Sequence, residues 1–292
     1  MPATLNDAHC HFFSTPFFAA LGGDAALEQL GWDAPGDADA LADRWVAELD
    51  RRGVSRATLI ASVPGDAASV AAAITRHPDR FVGFFMVDPT QADAAAKAGA
   101  AIDSGGLRGI CLFPAMHRFS IQDERARQIF EVAAKRPGTA VFVHCGVLSV
   151  GVRKKLGLPS PFDIRYGNPL DLHALALAYP QVPIIIPHFG AGLLREALMV
   201  VDLCPNVLLD TSSSNGWIKY QPGLTLAAVF RQALAVAGPD RLLFGSDSSF
   251  FPRGWVADVY AQQSAALDEL GVSVEVKEKV FGGNFDRVFV QR

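Results

Sequence analysis

The sequence predicts a (β/α)8 TIM barrel with extended loops after its first and fifth strands. Eight short apolar runs alternate with helical stretches, several runs are nearly continuous in Val, Ile, Leu and Phe, and two connections are unusually long. Continuous apolar composition is typical of strands that are covered on both faces, as in a parallel sheet. Because the alternation extends along the whole chain, we expect a single barrel domain over residues 1–292.

The predicted strands are short and evenly distributed along the chain. In order, they are TLNDAH (4–9), ATLIASV (57–63), FVGFFMV (81–87), GLRGICLF (106–113), AVFVH (140–144), PIIIPH (183–188), NVLLD (206–210) and RLLFGS (241–246). A doubly wound open sheet is the alternative architecture. Such a sheet usually has fewer strands and a Gly-rich turn after the first one, whereas here the first strand runs into HCHFF.

Helical segments are predicted between the strands, at 42–53, 66–77, 91–105, 123–138, 168–180, 224–238 and 256–271. The first ends at Gly53, and the fourth begins with acidic residues and stops at Pro137-Gly138, as helix start and stop signals require. The long connections, 12–40 and 146–167, both follow strands. In a barrel they therefore lie at the carboxyl ends of the strands, where long loops often bind ligands.

Composition and charge argue against several classes of protein. The formal net charge is −4, and acidic and basic residues are mixed, so there is no basic stripe for nucleic acid. No apolar run reaches membrane-spanning length, and the first residues lack the pattern of a secretion signal. The four cysteines are widely spaced, which suits a reducing compartment. We expect a cytoplasmic protein without nucleic-acid or membrane partners.

Side chains able to bind a metal ion gather at the predicted strand ends. His9 ends the first strand and His11 follows it, His144 ends the fifth, His188 ends the sixth, and Asp247 follows the eighth. Residues two apart on a strand point to the same side, so His9 and His11 can face one ion. Burying several imidazoles without partners would cost roughly a few kcal/mol each. The sequence therefore predicts a shared metal ion at this rim.

This constellation resembles the amidohydrolase superfamily. The closer resemblance is to the amidohydrolase-related (amidohydrolase 2) branch, which includes aminocarboxymuconate-semialdehyde decarboxylase and γ-resorcylate decarboxylase, with dicarboxylic lactone hydrolases in the wider group. Besides the strand-end histidines and aspartate, the likeness rests on RFVGFFMVDP, GLRGICLFP, PHFGAG, FGSD and GGNFDRVF. These short segments are distributed along nearly the whole chain.

The resemblance implies a role for each strand-end residue. His9, His11, His144 and Asp247 would hold one divalent ion, usually zinc, with manganese or another first-row metal as alternatives, and His188 and Asp247 would transfer protons. Binuclear relatives carry a carboxylated lysine at the end of strand four. The corresponding segment here, 106–119, contains no lysine, so a mononuclear site is expected. Relatives often form dimers, so the resemblance also implies a homodimer.

The expected activity is that of a metal-dependent enzyme on a small carboxylate-bearing cyclic or aromatic substrate. Carboxy-lyase chemistry and hydrolysis of a lactone or amide by activated water both remain open, because DSSFFPRGW departs from the shorter Asp-Pro pattern of the decarboxylases. Arg253 follows Asp247 by a short loop, so it is the first candidate to bind the substrate carboxylate. Further candidates are Arg153, Lys154, Lys155 and Arg165. A barrel that binds metal or ligand without turnover is the alternative from another class.

Overall fold

The computed structural model describes residues 4–290, in which eight parallel strands form a barrel. The strands are β1 (Asn6–Phe12), β2 (Arg56–Ala61), β3 (Phe81–Val87), β4 (Gly109–Leu112), β5 (Ala140–Val143), β6 (Ile184–Ile186), β7 (Val207–Asp210) and β8 (Leu242–Leu243). Each pairs with the next in chain order. The predicted (β/α)8 barrel is confirmed and the open-sheet alternative is wrong. Residues 1–3 and 291–292 of the predicted domain lie outside the described residues.

Helices connect the strands. They are α1 (Thr15–Ala19), α2 (Asp24–Leu30), α3 (Ala38–Arg52), α4 (Ala67–Arg76), α5 (Ala94–Gly105), α6 (Pro114–His117), α7 (Glu124–Ala134), α8 (Gly151–Lys155), α9 (His173–Ala178), α10 (Leu194–Leu203), α11 (Ser214–Trp217), α12 (Leu226–Ala237), α13 (Ala257–Glu269) and α14 (Val274–Glu278). Helix α10 lies between β6 and β7, where none was predicted from the sequence. No helix within residues 4–290 is long and apolar enough to cross a membrane.

The two long connections meet at the mouth of the barrel. The connection after β1 contains α1 and α2, and the connection after β5 contains α8 and a 3-10 turn at Ile164–Tyr166. They touch where the Nζ atom of Lys155 lies 5.1 Å from the centre of the Trp32 ring, a cation–π contact. The predicted extended loops after strands one and five are therefore present, and together they form one side of the mouth.

Strand β8 has only two residues, but the segment that follows it closes the barrel against β1. The backbone N–H of Asp247 donates to the carbonyl of His9 at 3.0 Å, and the N–H of His11 donates to the carbonyl of Ser248 at 2.6 Å. These bonds satisfy backbone groups that an open sheet edge would leave unpaired. They also place Asp247 beside both histidines, so the closure of the barrel itself assembles part of the site.

A bulge in β1 sets the direction of its histidines. The register with β2 shifts by one residue between Asp7 and Cys10, and an extra residue in one strand breaks the alternation of side chains. Ala8 packs in the barrel interior, whereas Cys10 packs in the outer layer between strands and helices. His9, within the bulge, and His11, after it, both face the mouth.

Apolar side chains fill the barrel beneath the mouth. The interior cluster draws residues from every strand: Ala8, Ile60, Val82, Phe84, Met86, Cys111, Ala140, Phe142, Ile185, Leu208 and Leu243. The last turns of the described chain close the opposite end, where Phe289 lies 5.4 Å from Phe84 and 5.1 Å from Phe285, measured between ring centres. Because this interior is a packed core, the polar chemistry is confined to the carboxyl ends of the strands.

Candidate metal centre

Three side chains from the two ends of the chain converge at the mouth. The Nε2 atoms of His9 and His11 are 3.2 Å apart, and Oδ1 of Asp247 lies 3.5 Å from the first and 3.1 Å from the second. Ligand atoms about 2.0–2.2 Å from a common ion are separated from one another by about 3–3.5 Å. The observed triangle therefore has the size of one face of a metal coordination shell.

Hydrogen bonds at Nδ1 orient both imidazoles so that their Nε2 atoms point into the triangle. Nδ1 of His9 donates to the Asp210 carboxylate at 2.6 Å. Nδ1 of His11 lies 2.8 Å from the Ser62 hydroxyl, whose own proton goes to the carbonyl of Ile60 at 2.9 Å. Because each Nδ1 has a hydrogen-bond acceptor of its own, a divalent ion that displaces the Nε2 protons would meet two lone pairs directed toward it. The residues present therefore fit a divalent ion.

Asp210, at the end of β7, contacts the candidate site through His9, and the sequence analysis missed it. Burial alone would lower the pKa of His9, but the charge of Asp210 and its hydrogen bond outweigh burial and raise that pKa to about 9. Burial would likewise raise the pKa of Asp210, yet the charge of His9, its hydrogen bond and further contacts together outweigh burial and lower that pKa. Its other oxygen accepts the backbone N–H of Ser212 at 2.6 Å. The available signal was an acidic residue that ends the apolar run NVLLD.

Asp247 occupies a turn that few residue types tolerate. Its φ of 58° lies in the left-handed region, where Asp is one of the less costly non-glycine residues. Burial would raise the pKa of its carboxyl group, but the hydrogen bond from His11 and the nearby charge of His9 outweigh burial and lower it. Two residues earlier, a Cβ at Gly245 would lie 2.7 Å from Oδ1 of Asp210, so only glycine allows this close packing.

A second buried carboxylate, Asp7, connects β1 to the segment after β8 next to the candidate metal site. It accepts the backbone N–H groups of His9 at 2.8 Å and Ser246 at 3.1 Å, and the indole Nε1–H of Trp255 at 2.6 Å. The hydroxyl of Ser246 also donates to it. Because these bonds cross the seam where the barrel closes, Asp7 holds the backbone that carries His9 and Asp247 in register.

His144 lies in the same chamber but outside the three-residue group. It follows β5, and its ring centre is 5.1 Å from that of His188. Burial lowers the pKa of His144, and the charges of the neighbouring histidines add to this effect. Its Nδ1 is buried and has no hydrogen-bond partner within residues 4–290. A buried polar atom without a partner is costly, so this nitrogen also suits a bound ion or ligand; its role as fourth ligand stays a prediction.

His188 is oriented by the backbone of Ser212, which lies two residues after the end of β7. Its Nδ1 donates to the carbonyl oxygen of Ser212 at 2.9 Å, which leaves Nε2 as the accepting nitrogen. Its ring centre lies 5.0 Å from that of His9. Burial is the main cause of its lowered pKa, so the ring is neutral near pH 7. A neutral histidine beside the ligand triangle is suited to accept a proton.

The triangle lies at the base of a cavity of about 520 Å³. Aromatic side chains form part of its wall, including a stacked pair, Phe13 and Phe17, whose ring centres are 3.8 Å apart. Two cationic side chains line the cavity, Lys155 and Arg253. Arg253 is exposed and forms no ion pair within residues 4–290.

The structure separates the other cationic candidates from this cavity. Arg153 donates to the carbonyl of Pro159, with Nη2 at 2.6 Å. Arg165 pairs with Asp163 at 2.6 Å. Lys154 is exposed on α8 and does not line the cavity. Of the four candidates in the connection after β5, the structure therefore places only Lys155 at the cavity wall, together with Arg253 from the segment after β8.

Comparisons with known proteins agree with this architecture. The family model described as amidohydrolase matches residues 7–289. The chain is similar to 5-carboxyvanillate decarboxylase from Sphingomonas paucimobilis, with 17% identity, 98% of each chain covered and a TM-score of 0.65. It is also similar to a protein from Acinetobacter baumannii, described as a probable 2-pyrone-4,6-dicarboxylic acid hydrolase with citric acid bound, with 15% identity, coverage of 98% and 99%, and a TM-score of 0.65.

A third structure contains a metal ion. It is 5-carboxyvanillate decarboxylase from Novosphingobium aromaticivorans with bound manganese and 3-methoxy-4-hydroxy-5-nitrobenzoic acid; identity is 16%, coverage 100% and 97%, and the TM-score 0.64. At such identities the likeness concerns the fold alone. A stretch of 92 residues is 29% identical to Protein fluG of Emericella nidulans; it covers 31% of this chain and only 10% of that protein's length.

Proposed function

The chain belongs to the amidohydrolase family, and from this premise we propose that it is a mononuclear metal-dependent enzyme for a small carboxylate-bearing cyclic or aromatic substrate. Family membership makes it an enzyme of the hydrolase or carboxy-lyase type. The proposal depends chiefly on one observation: the Nε2 atoms of His9 and His11 and Oδ1 of Asp247 lie 3.1–3.5 Å from one another.

One divalent ion is proposed at this triangle, with His144 as a fourth ligand. Zinc is the first expectation because it accepts histidine nitrogen and carboxylate oxygen together, and manganese is the alternative. The segment at the end of β4, 106–119, contains no lysine that could bridge a second ion. Such an ion supplies Lewis acidity that polarises an oxygen atom of the substrate or of water.

Two residues of the chain are proposed to move protons beside the ligand triangle. His188 keeps its Nδ1 proton on the carbonyl of Ser212, so its Nε2 is the atom that accepts or returns a proton. Asp247 has a lowered pKa and is ionised at neutral pH, so its carboxylate can also accept a proton. Groups in this position act as general base and then as general acid.

The cavity wall supports an anionic, planar substrate. Lys155 and Arg253 provide the positive charge, and a guanidinium can bind a carboxylate through two parallel hydrogen bonds. The rings of Trp32 and Phe251 are stacked, with an interplanar angle of 16° and centres 6.1 Å apart. Aromatic walls of this kind hold a ring and exclude water from the reacting atoms.

Both candidate reactions use the same residues. In decarboxylation, Nε2 of His188 or the carboxylate of Asp247 first takes a proton from a substrate hydroxyl or from water and then delivers it to the ring carbon. The bond to the carboxylate breaks, its electron pair returns to the ring, and carbon dioxide leaves. In hydrolysis, the same groups take a proton from water as it attacks a lactone or amide carbonyl, and then give one to the leaving oxygen or nitrogen. The fold comparisons include proteins named for each reaction, so neither is preferred here.

A substrate panel tests the proposal. Purified protein is analysed for metal and then incubated with aromatic acids, including 5-carboxyvanillate, and with dicarboxylic lactones, including 2-pyrone-4,6-dicarboxylate. Carbon dioxide release identifies a carboxy-lyase, and ring opening without gas identifies a hydrolase. Metal-loaded protein that binds these acids without converting any of them would favour the non-catalytic barrel, and protein that retains no divalent ion would contradict the metal site.

Replacing Arg253 with glutamine tests the substrate-binding role. We expect KM for an acidic substrate to rise about tenfold while kcat changes little, because the lost interaction binds substrate and transition state alike. Arg165→Gln is the matched control, since Arg165 pairs with Asp163 and does not line the cavity. If KM is the same in wild type and Arg253→Gln across the panel, Arg253 does not bind the substrate carboxylate.

A further inference from the structure

A second cavity, of about 550 Å³, adjoins the mouth of the barrel. It shares Trp32, Phe251, Pro252 and Arg253 with the wall of the first cavity, but none of the strand-end histidines lines it. Helix α3 and the segment after β8 form most of its wall. The metal-centre chemistry therefore does not explain this cavity, and its own side chains must indicate what it binds.

Four arginines line this second cavity: Arg44, Arg51, Arg52 and Arg253. The acidic residues among the lining side chains are Asp33 and Glu48, so four positive charges face two negative ones, a net charge of +2. Like charges that converge on one concave surface raise its potential and attract anions.

The acidic residue Glu48 is already engaged within the wall. It is buried, it pairs with Arg51, and Nε of Arg52 donates to it at 3.0 Å. It also accepts the backbone N–H of Trp255 at 3.0 Å. Glu48 thus offsets the charge of these two arginines and fixes α3 to the segment after β8. Arg44 and Arg253 have no such carboxylate partner within residues 4–290.

Arg44 is held in place with part of its guanidinium unused. Its Nη1 donates to the carbonyl oxygens of Ala34 at 3.0 Å and Pro35 at 3.3 Å. Its central carbon lies 4.8 Å from the ring centre of Phe250 and 5.2 Å from that of Phe251. Nε and Nη2 have no hydrogen-bond partner within residues 4–290. A guanidinium fixed in this way presents an edge that can bind an oxyanion through two hydrogen bonds without first losing side-chain freedom.

The contrast with other arginines strengthens this observation. On the helical surface, Arg76 is paired with Asp43 and Arg136 with Asp103, each at 2.6 Å. Arg44 and Arg253, in contrast, form no ion pair within the described part of the chain, yet they line the same cavity. Arginine is the side chain best suited to planar recognition of phosphate and carboxylate groups.

We propose that the cavity lined by Arg44, Arg51, Arg52 and Arg253 is a second anion-binding site, which takes the phosphate or carboxylate group of a small molecule. Arg44 supplies the fixed guanidinium edge, and the pair of arginines on Glu48 supplies further positive charge. This site is distinct from the metal-centre cavity, and its existence does not rest on the function proposed above.

Calorimetric titration of the metal-loaded protein at low ionic strength tests the site, with inorganic phosphate in one arm and tricarballylate in the other. We expect saturable binding of at least one anion, weakened about tenfold or more by Arg44→Gln. Arg231→Gln, which removes the same charge from the exposed face of α12, should leave the affinity unchanged. Binding of phosphate alone indicates a phosphate-bearing ligand, and binding of tricarballylate alone indicates a carboxylate.

A variant of the metal centre separates the two cavities. Anion bound at the metal should be lost in His11→Ala and kept in Arg44→Gln, whereas anion bound at the second site should show the opposite pattern. Arg51→Gln is the second variant if Arg44→Gln does not fold, and it should weaken binding about threefold because Arg51 is more exposed. The proposal is overturned if neither anion binds saturably outside the metal centre, or if every one of these two variants that folds keeps the wild-type affinity.

Discussion

Replacing Asp247 with alanine is expected to remove most of the bound metal and to lower kcat/KM by about a thousandfold or more. The carboxylate closes the ligand triangle, and without it the two Nε2 atoms of His9 and His11 remain as a weak pair. The same change removes a proposed proton acceptor, so activity should fall further than metal occupancy alone predicts. Metal content measured by mass spectrometry after dialysis, together with kcat/KM on the best substrate of the panel, checks both effects.

The matched control is Asp88→Ala. Asp88 is also an acidic residue that directly follows a strand, β3, but its carboxylate bonds only locally, to Thr90 and Gln91. It should keep the wild-type metal content. Near-stoichiometric metal in folded Asp247→Ala would show that Asp247 is not a ligand. The same measurement on His144→Ala decides whether that ring binds the ion.

The sequence contained enough information to predict the barrel and the side chains that reach its mouth. Continuous apolar runs identify buried parallel strands, and a polar residue at the end of such a run is placed by the fold at the carboxyl rim. His9, His144 and Asp247 could therefore be placed near one another although they are far apart in the chain. Element boundaries were less accurate: β1 extends to Phe12, so His11 lies within the strand rather than after it.

The interactions that orient the candidate ligands could not be predicted from the sequence. They depend on strand register, on local backbone dihedrals and on contacts between segments that are distant in the chain. The bulge between Asp7 and Cys10 has no marker in the local sequence, yet it decides which side chains of β1 face the mouth. Asp210 becomes recognisable as the partner of His9 only when the barrel brings the end of β7 close to His9. The second cavity is harder still, because Arg44 and Arg253 are each ordinary polar residues until α3 and the segment after β8 meet.

Asp210→Asn is expected to weaken metal binding about 10- to 100-fold, although Asp210 does not touch the ion site. The carboxylate receives the Nδ1 proton of His9 at 2.6 Å and so keeps the Nε2 lone pair directed toward His11 and Asp247. An amide in its place can present its own N–H group to Nδ1, which would move the imidazole proton to Nε2 and block the ligand atom. Competition with a chelator measures the dissociation constant of the metal.

Excess metal distinguishes a positioning role from a chemical one. If Asp210 acts through His9, saturating Asp210→Asn with metal should restore most of kcat, whereas Asp247→Ala should stay inactive because it lacks both a ligand and a proton acceptor. Asp103→Asn, which removes a carboxylate from the exposed ion pair with Arg136, is the matched control and should bind metal like wild type. An unchanged metal dissociation constant in Asp210→Asn would mean that Ser212, whose hydroxyl lies 2.9 Å from Nδ1 of His9, is enough to hold the ring.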